Sequence, residues 1–198
     1  MSSKAREVIL QAVRAAMPAL APLPDTSQLG LRFDDLRARF AQSMTEVGGS
    51  CVRVADAAAI EDELLRIPEY AVARKVASVV PGVKRVTVDL AAMKDPHEAS
   101  VIDFFVLSGE LGVAENGAVW VTNHGGANRS ACFLSQHLAI VLRGDQLVND
   151  MHEAYRRISI PSPGFAMWLS GPSKTADIEQ ALVVGAHGAR SCTVLLVN

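Results

Sequence analysis

The chain has 198 residues, of which 49% are hydrophobic and 20% charged, with a formal net charge of −2. That length suits one globular domain with room for a terminal extension, and the apolar share excludes a largely disordered chain. The near-balanced charge, with no run of Lys or Arg, argues against binding driven by nucleic-acid phosphates, and no apolar stretch approaches the ~20 residues of a membrane span.

From Ser3 to Met17 the residues Val8, Ile9, Ala12, Val13, Ala16 and Met17 recur at helical spacing. The charged positions Lys4, Arg6, Glu7 and Arg14 make this run amphipathic, unlike a secretory signal. Pro18, Pro22 and Pro24 then mark an extended linker to Gly30. A second helix is predicted from about Leu31 to Val47, burying Phe33, Leu36, Phe40, Met44 and Val47, with Gly48-Gly49 as its stop. Residues 1–47 thus read as an N-terminal helical extension of an α/β domain over 48–198, expected to pack against that domain or another copy.

Short apolar runs follow. Cys51–Val54 reads as a strand, Ala57–Arg66 as a helix, and Val76–Val80 and Val86–Leu90 as strands or strand-like pieces. Val101–Leu107, Ala118–Thr122 and Leu138–Leu142 are clearer strands. A helix is expected with Leu147, Val148, Met151, Ala154, Tyr155 and Ile158 on one face. Phe165–Leu169, Ala181–Val184 and Cys192–Val197 close the pattern as strands. Near-continuous apolar strands interleaved with helices indicate a mainly parallel sheet covered on both faces, a three-layer α/β/α fold.

In an open parallel sheet ligands bind beyond the carboxyl ends of the strands, and three loops draw attention on that basis. Gly112–Gly117 contains Asn116-Gly117, a strong hairpin signal, and offers Glu115 and Asn116 to a ligand. The loop after Val121 holds Asn123, His124, Gly125 and Gly126. It pairs a potential acid–base group with glycines that admit close approach, although loop-making alone accounts for such residues. After Ser170 come Ser173, Lys174, Thr175, Asp177 and Glu179. A helix starting near Thr175 would aim free N–H groups at an anion, or the acids would simply complement its dipole. His187 and Gly188 follow before the last strand.

The five histidines lie far apart, so no metal site is expected, and neither a Walker-type loop nor a Gly-x-Ser-x-Gly elbow is present. Cys51, Cys132 and Cys192 form no paired motif; they fit a reducing cytoplasm and cannot alone hold an iron–sulfur cluster.

The run Gly-Pro-Ser-Lys-Thr-Ala-Asp-Ile-Glu at 171–179, followed by Leu182 to Gly188, resembles the C-terminal signature of the LUD-domain family, which includes the lactate-utilization proteins of the LutC type. Gly112–Thr122 is similar to the family's central motif, and His137–Val141 to the strand after it, so the resemblance covers about 51–197. It departs at Asn116, where many members carry Thr or Ser, and at Ala189, which replaces a common proline. The resemblance implies a NagB/RpiA/CoA-transferase-like, Rossmann-like fold. It also implies a part in oxidising L-lactate to pyruvate, beside partner proteins that carry the iron–sulfur clusters, with no cofactor in this chain.

Under that reading the chain binds lactate, a nucleotide or another small anion, either as a small enzyme or as a subunit of an L-lactate-oxidising complex. The wider fold group implies an acyl-CoA transferase or an ATP-dependent folate cyclo-ligase-like enzyme, with Glu115 or Glu179 as nucleophile or base. A non-catalytic binding module is the third reading, and a homo-oligomer is compatible with each. Glu115, Glu179 and His187 are the catalytic candidates. Asn116, Asn123, His124, Gly125, Gly126, Ser173, Lys174, Thr175, Asp177 and Gly188 are the ligand-binding candidates.

Overall fold

The computed structural model describes residues 3–198 except positions 20, 23, 26–28, 123–128, 161–163 and 179; of Asp177 only the backbone is described. Helix α1 (Ser3–Ala16) leads to α2 (Leu36–Glu46), β1 (Ser50–Val54), α3 (Ile60–Leu65), α4 (Pro68–Val72) and β2 (Val76–Ser78). Then come β3 (Phe104–Ser108), β4 (Leu111–Val113), β5 (Val119–Thr122), α5 (Ala131–Leu134), β6 (His137–Arg143) and β7 (Leu147–Val148). Helix α6 (Met151–Arg157), β8 (Ala166–Leu169), β9 (Lys174–Ile178), β10 (Ala181–Val184) and β11 (Ser191–Val197) complete the chain.

Five strands form one parallel sheet in the order β1-β11-β6-β3-β2. A second, four-stranded sheet has the order β7-β4-β5-β8, antiparallel except between β4 and β7. Strands β9 and β10 pair only with each other, as an antiparallel hairpin.

The parallel sheet is apolar on both faces because both are covered. Alternate side chains of its strands point to opposite sides. Phe105, Leu107, Leu138, Ile140, Cys192 and Val194 pack against Phe40 and Met44 of α2 and against Val119 and Val121 of the second sheet. Phe104, Val106, Ala139 and Leu195 pack on the other side against Ile60, Leu64 and Tyr70 of α3 and α4. These are the three layers, and α2 is built into the main core, each buried side chain contributing about 1.5–3 kcal/mol.

Several boundaries differ from the sequence reading, each for a local reason. Helix α2 starts at Leu36 rather than near Leu31 because the Asp35 carboxylate accepts the N–H groups of Arg37 and Ala38, at 3.0 and 2.9 Å. Upstream, the Phe33 N–H is drawn to the Asn149 side chain at 2.9 Å. The expected strand at 86–90 joins no sheet: the Thr87 hydroxyl takes the Val76 N–H at 2.9 Å, where a ladder carbonyl would sit. Leu147 and Val148 pair with β4 instead of opening α6, which begins after Asp150 caps it. The expected strand at 101–107 begins only at Phe104, after a 3-10 turn from Pro96 to Val101.

Helix α1 lies apart from these layers. Val8 and Val13 on its apolar stripe are 66% and 55% exposed, so the stripe is not buried against the α/β domain. Phe40→Ala is expected to cost about 3–5 kcal/mol in denaturant unfolding. Deleting residues 1–17 should move the melting temperature by less than about 2 °C. A large loss from that deletion would show that α1 is covered in solution.

Candidate functional site

The turn between β4 and β5 has the predicted hairpin chemistry: Gly117 sits at φ +67° and Asn116 Oδ1 accepts the Ala118 N–H at 3.0 Å. The Glu115 carboxylate accepts the Met151 N–H at 3.1 Å, in the first turn of α6 where helical donors lack partners. Its backbone carbonyl accepts from Arg39 at 3.3 Å, and Ser43 of α2 donates to the Ala114 carbonyl at 2.6 Å. This turn therefore ties α2, the second sheet and α6 together.

Around residues 171–188 the structure overturns one expectation. No helix begins near Thr175; Lys174–Ile178 is strand β9, paired with β10 in the register Val183↔Thr175 and Val184↔Lys174. The backbone N–H groups expected to face an anion belong to a hairpin, whose β-branched residues Thr175, Ile178, Val183 and Val184 favour strand over helix. The Lys174 ammonium donates to the Val47 carbonyl at the C-terminal end of α2. Gly171 adopts φ +71°, and a Cβ there would come within 2.7 Å of that same carbonyl. Asn123, His124, Gly125, Gly126 and Glu179 lie outside the described residues, as does the side chain of Asp177.

Ser173, His187 and Gly188 do come together. The Ser173 N–H donates to the Ala189 carbonyl and its carbonyl accepts from Gly185, both at 2.9 Å. Gly188 is pressed so close that an added Cβ would meet Ser173 Cβ at 3.0 Å. These residues form one wall of a cleft of about 250 Å³; Cys132, Phe133 and Leu138 form another, and the end of β8 with Ser170–Pro172 a third. The Ser170 hydroxyl donates to the Asn116 carbonyl at 2.9 Å, so the β4–β5 turn backs onto this cleft, although the Glu115 carboxylate is engaged at α6. Phe133, 45% exposed, meets Phe165 edge-on at 6.4 Å, and the Arg129 guanidinium lies 5.5 Å over Phe165. Burial pushes the Cys132 thiol up to about 12, which withholds the thiolate a nucleophile needs. The exposed His187 imidazole and the Ser173 hydroxyl are the polar groups suited to hold or exchange a proton with a ligand.

The cleft lies beside the amino ends of β6 and β11, the reverse of the expected carboxyl edge. The expectation treated Ala118–Thr122, Phe165–Leu169 and Ala181–Val184 as members of the parallel sheet. The first two belong to the second sheet and the third to the hairpin. At the carboxyl edge, a cleft of about 500 Å³ opens beside Ser78, Val79 and residues 86–91, and among the described residues no predicted site residue lines it. Among the described residues no group of three or more His, Cys, Asp or Glu is placed to hold a metal ion.

His137, which the sequence offers as the start of a family-like strand and as one of five scattered histidines, is not among the predicted site residues. Its Nδ1 lies 2.8 Å from the Ser191 hydroxyl, and its ring stacks on Phe104 at 6.2 Å. The only sequence signal was a polar pair, Gln136-His137, directly ahead of an uninterrupted apolar run.

This arrangement defines a class: a three-layer α/β protein whose central parallel sheet carries a second sheet on one face and an antiparallel hairpin at its amino edge. Residues 70–197 match the LUD domain family, and the chain belongs to that family. It is 30% identical over 107 residues to Lactate utilization protein C of Shouchella clausii, covering 52% of this chain and 47% of that protein. It is 33% identical over 97 residues to Lactate utilization protein C of Deinococcus radiodurans, covering 47% and 46%. The matched stretch spans about half the length of these relatives. The fold is similar to the crystal structure of a DUF162 family protein from Deinococcus radiodurans. The TM-score is 0.63 at 17% identity, over 85% of this chain and 99% of that one.

Burial holds the His137 imidazole below its usual value of 6.5; Glu69 and Asp103 oppose the shift and Arg190 adds to it. The folded state thus binds this proton less readily than the unfolded chain. The stability that the neutral ring contributes is complete above the usual value and is lost as pH falls through the lowered one. The melting temperature should fall as pH drops below about 6.5, and His137→Gln should flatten that fall. An equally steep fall in the variant would assign the effect to other groups.

Proposed function

We propose that the chain acts in lactate utilization, taking part in the oxidation of L-lactate to pyruvate by binding a small anionic ligand in the 250 Å³ cleft. The observation that carries this reading is that the family's 171–188 signature forms a wall of that cleft and supplies Ser173, His187 and Gly188 to it. The name Lactate utilization protein C, carried by the relatives, supports the substrate class. Loss of two electrons and two protons from L-lactate gives pyruvate, and iron–sulfur clusters on partner proteins would accept the electrons. His187 would hold the carboxylate or take the hydroxyl proton, and the Ser173 hydroxyl would donate to a ligand oxygen.

Asn123, His124, Gly125, Gly126 and Asp177 as ligand contacts, and Glu179 as a catalytic group, stay in the proposal from sequence alone, whereas the side chains of Asn116 and Lys174 are engaged by Ala118 and Val47 and Thr175 lies within the hairpin. The transferase-like and cyclo-ligase-like readings need a free carboxylate, and the bond from Met151 to Glu115 speaks against that residue in the role. Among the described residues no helix is long and apolar enough to cross a membrane, and the proposal places the protein in the cytoplasm.

Calorimetry with L-lactate and pyruvate, together with affinity purification of the tagged full chain, tests the reading. Saturable binding that His187→Ala weakens by about tenfold or more is expected, with an iron–sulfur protein in the eluate. No binding of either acid, or binding that His187→Ala leaves unchanged, would overturn the ligand assignment, and the absence of such a partner would overturn the role in the oxidation.

A further inference from the structure

A second cleft opens at the amino edge of the parallel sheet, on the face opposite the first. Side chains alternate along β6, so Leu138 faces the α2 layer while His137 emerges beside Phe104 on the α3–α4 side. The cleft is about 340 Å³, bounded by α4 and by the residues that open β2, β3, β6 and β11. Its polar lining is Glu69, Arg74, Asp103, Gln136, His137 and Arg190, and it shares no lining residue with the 250 Å³ cleft.

The state of these groups narrows what fits. Among the described residues, the guanidinium groups of Arg74 and Arg190 and the carboxylate of Glu69 make no hydrogen bond or salt bridge. Asp103 Oδ2 accepts the N–H groups of Arg74 and Lys75, both at 2.8 Å, so this carboxylate is fixed and largely satisfied by backbone. His137 Nδ1 is engaged by Ser191, which leaves Nε2 as the imidazole's unbonded nitrogen. A guanidinium presents paired N–H donors that match the two oxygens of a carboxylate. Glu69 and the imidazole supply acceptors beside them. With Arg74 and Arg190 set against Glu69 and Asp103, the lining has no excess positive charge with which to hold phosphate. It complements a molecule that carries a carboxylate and, next to it, a hydrogen-bond donor.

We propose that this cleft binds a small 2-hydroxy- or 2-amino-carboxylate, its carboxylate on Arg74 and Arg190 and its hydroxyl or amine donating to Glu69 or His137. The assignment rests on the charges of this cleft and not on the lactate reading. An amino acid, which that reading does not involve, keeps the two distinguishable.

The imidazole C–H resonance of His137, identified by its loss in His137→Gln, reports occupancy in the full chain. Titrations with L-lactate, L-alanine, acetate and inorganic phosphate provide the arms. Saturable shifts are expected with L-lactate or L-alanine, at affinities at least about tenfold above those for acetate and phosphate. Arg190→Gln should abolish the response, Glu69→Gln should reduce it to the acetate level, and His187→Ala should leave it unchanged. The proposal is overturned by the absence of a saturable shift, or by an equal response to acetate or phosphate, which would mark a general anion patch. It is also overturned if the shift survives in Arg74→Gln/Arg190→Gln with a wild-type melting temperature. Should that double variant not fold, Arg190→Gln and Glu69→Gln alone decide. A protein that answers L-alanine here and L-lactate nowhere keeps this site and overturns the lactate reading.

Discussion

Strand β11, at the C-terminal end of the chain, lies between β1 and β6, with Thr193 opposite Ser50 on one side and Ala139 on the other. Neither neighbour can complete its ladder without it, so the middle of the sheet depends on contacts that span most of the chain. The loop entering β11 is fixed at the same time: Ser191 stands opposite His137, and Arg190 donates its N–H to the Gln136 carbonyl at 2.8 Å. Both clefts at the amino edge are built on that junction, one through Ala189 and the other through Arg190.

The two clefts differ in chemistry because the sheet separates them. On the α2 side, Leu138 and Cys132 give apolar walls, and among the described residues hydroxyl and imidazole groups enter from Ser170, Ser173 and His187. On the α4 side, the strand starts bring arginines, carboxylates and an imidazole to one rim. A shift of one residue in the register of β6 would exchange His137 and Leu138 between faces. The junction of Ser191 with His137 at 2.8 Å is one of the contacts that accompany the observed register.

The β4–β5 turn and the β9–β10 hairpin show how chemistry-bearing residues are absorbed by structure. Glu115 looks like a free acid in a polar turn, yet its carboxylate answers an unpaired helix donor on Met151. Lys174 looks like a mobile cation, yet its ammonium answers an unpaired helix carbonyl at Val47. Both partners are helix ends, where orphan donors and acceptors attract whatever charge lies near.

Much of the architecture was legible in the sequence because it follows local rules. The apolar runs at 138–142 and 192–197 are strands since a sheet covered on both faces keeps consecutive apolar residues dry. Gly117 takes the positive φ that a turn at Asn116-Gly117 calls for. The family signature at 171–188 was legible as well, since it is a matter of residue order. What the sequence left open was which strands share a sheet, because an apolar run carries no label for its partner. Ala118–Thr122 and Phe165–Leu169 were placed in the parallel sheet but pair with each other in the second one. Residues 174–178 satisfy helix-capping and hairpin patterns alike, and only pairing with β10 decided between them. His137, Arg74, Asp103 and Arg190 are far apart in the chain and belong to no motif. They meet because parallel strands must all begin at one edge, and that is a property of the assembled sheet.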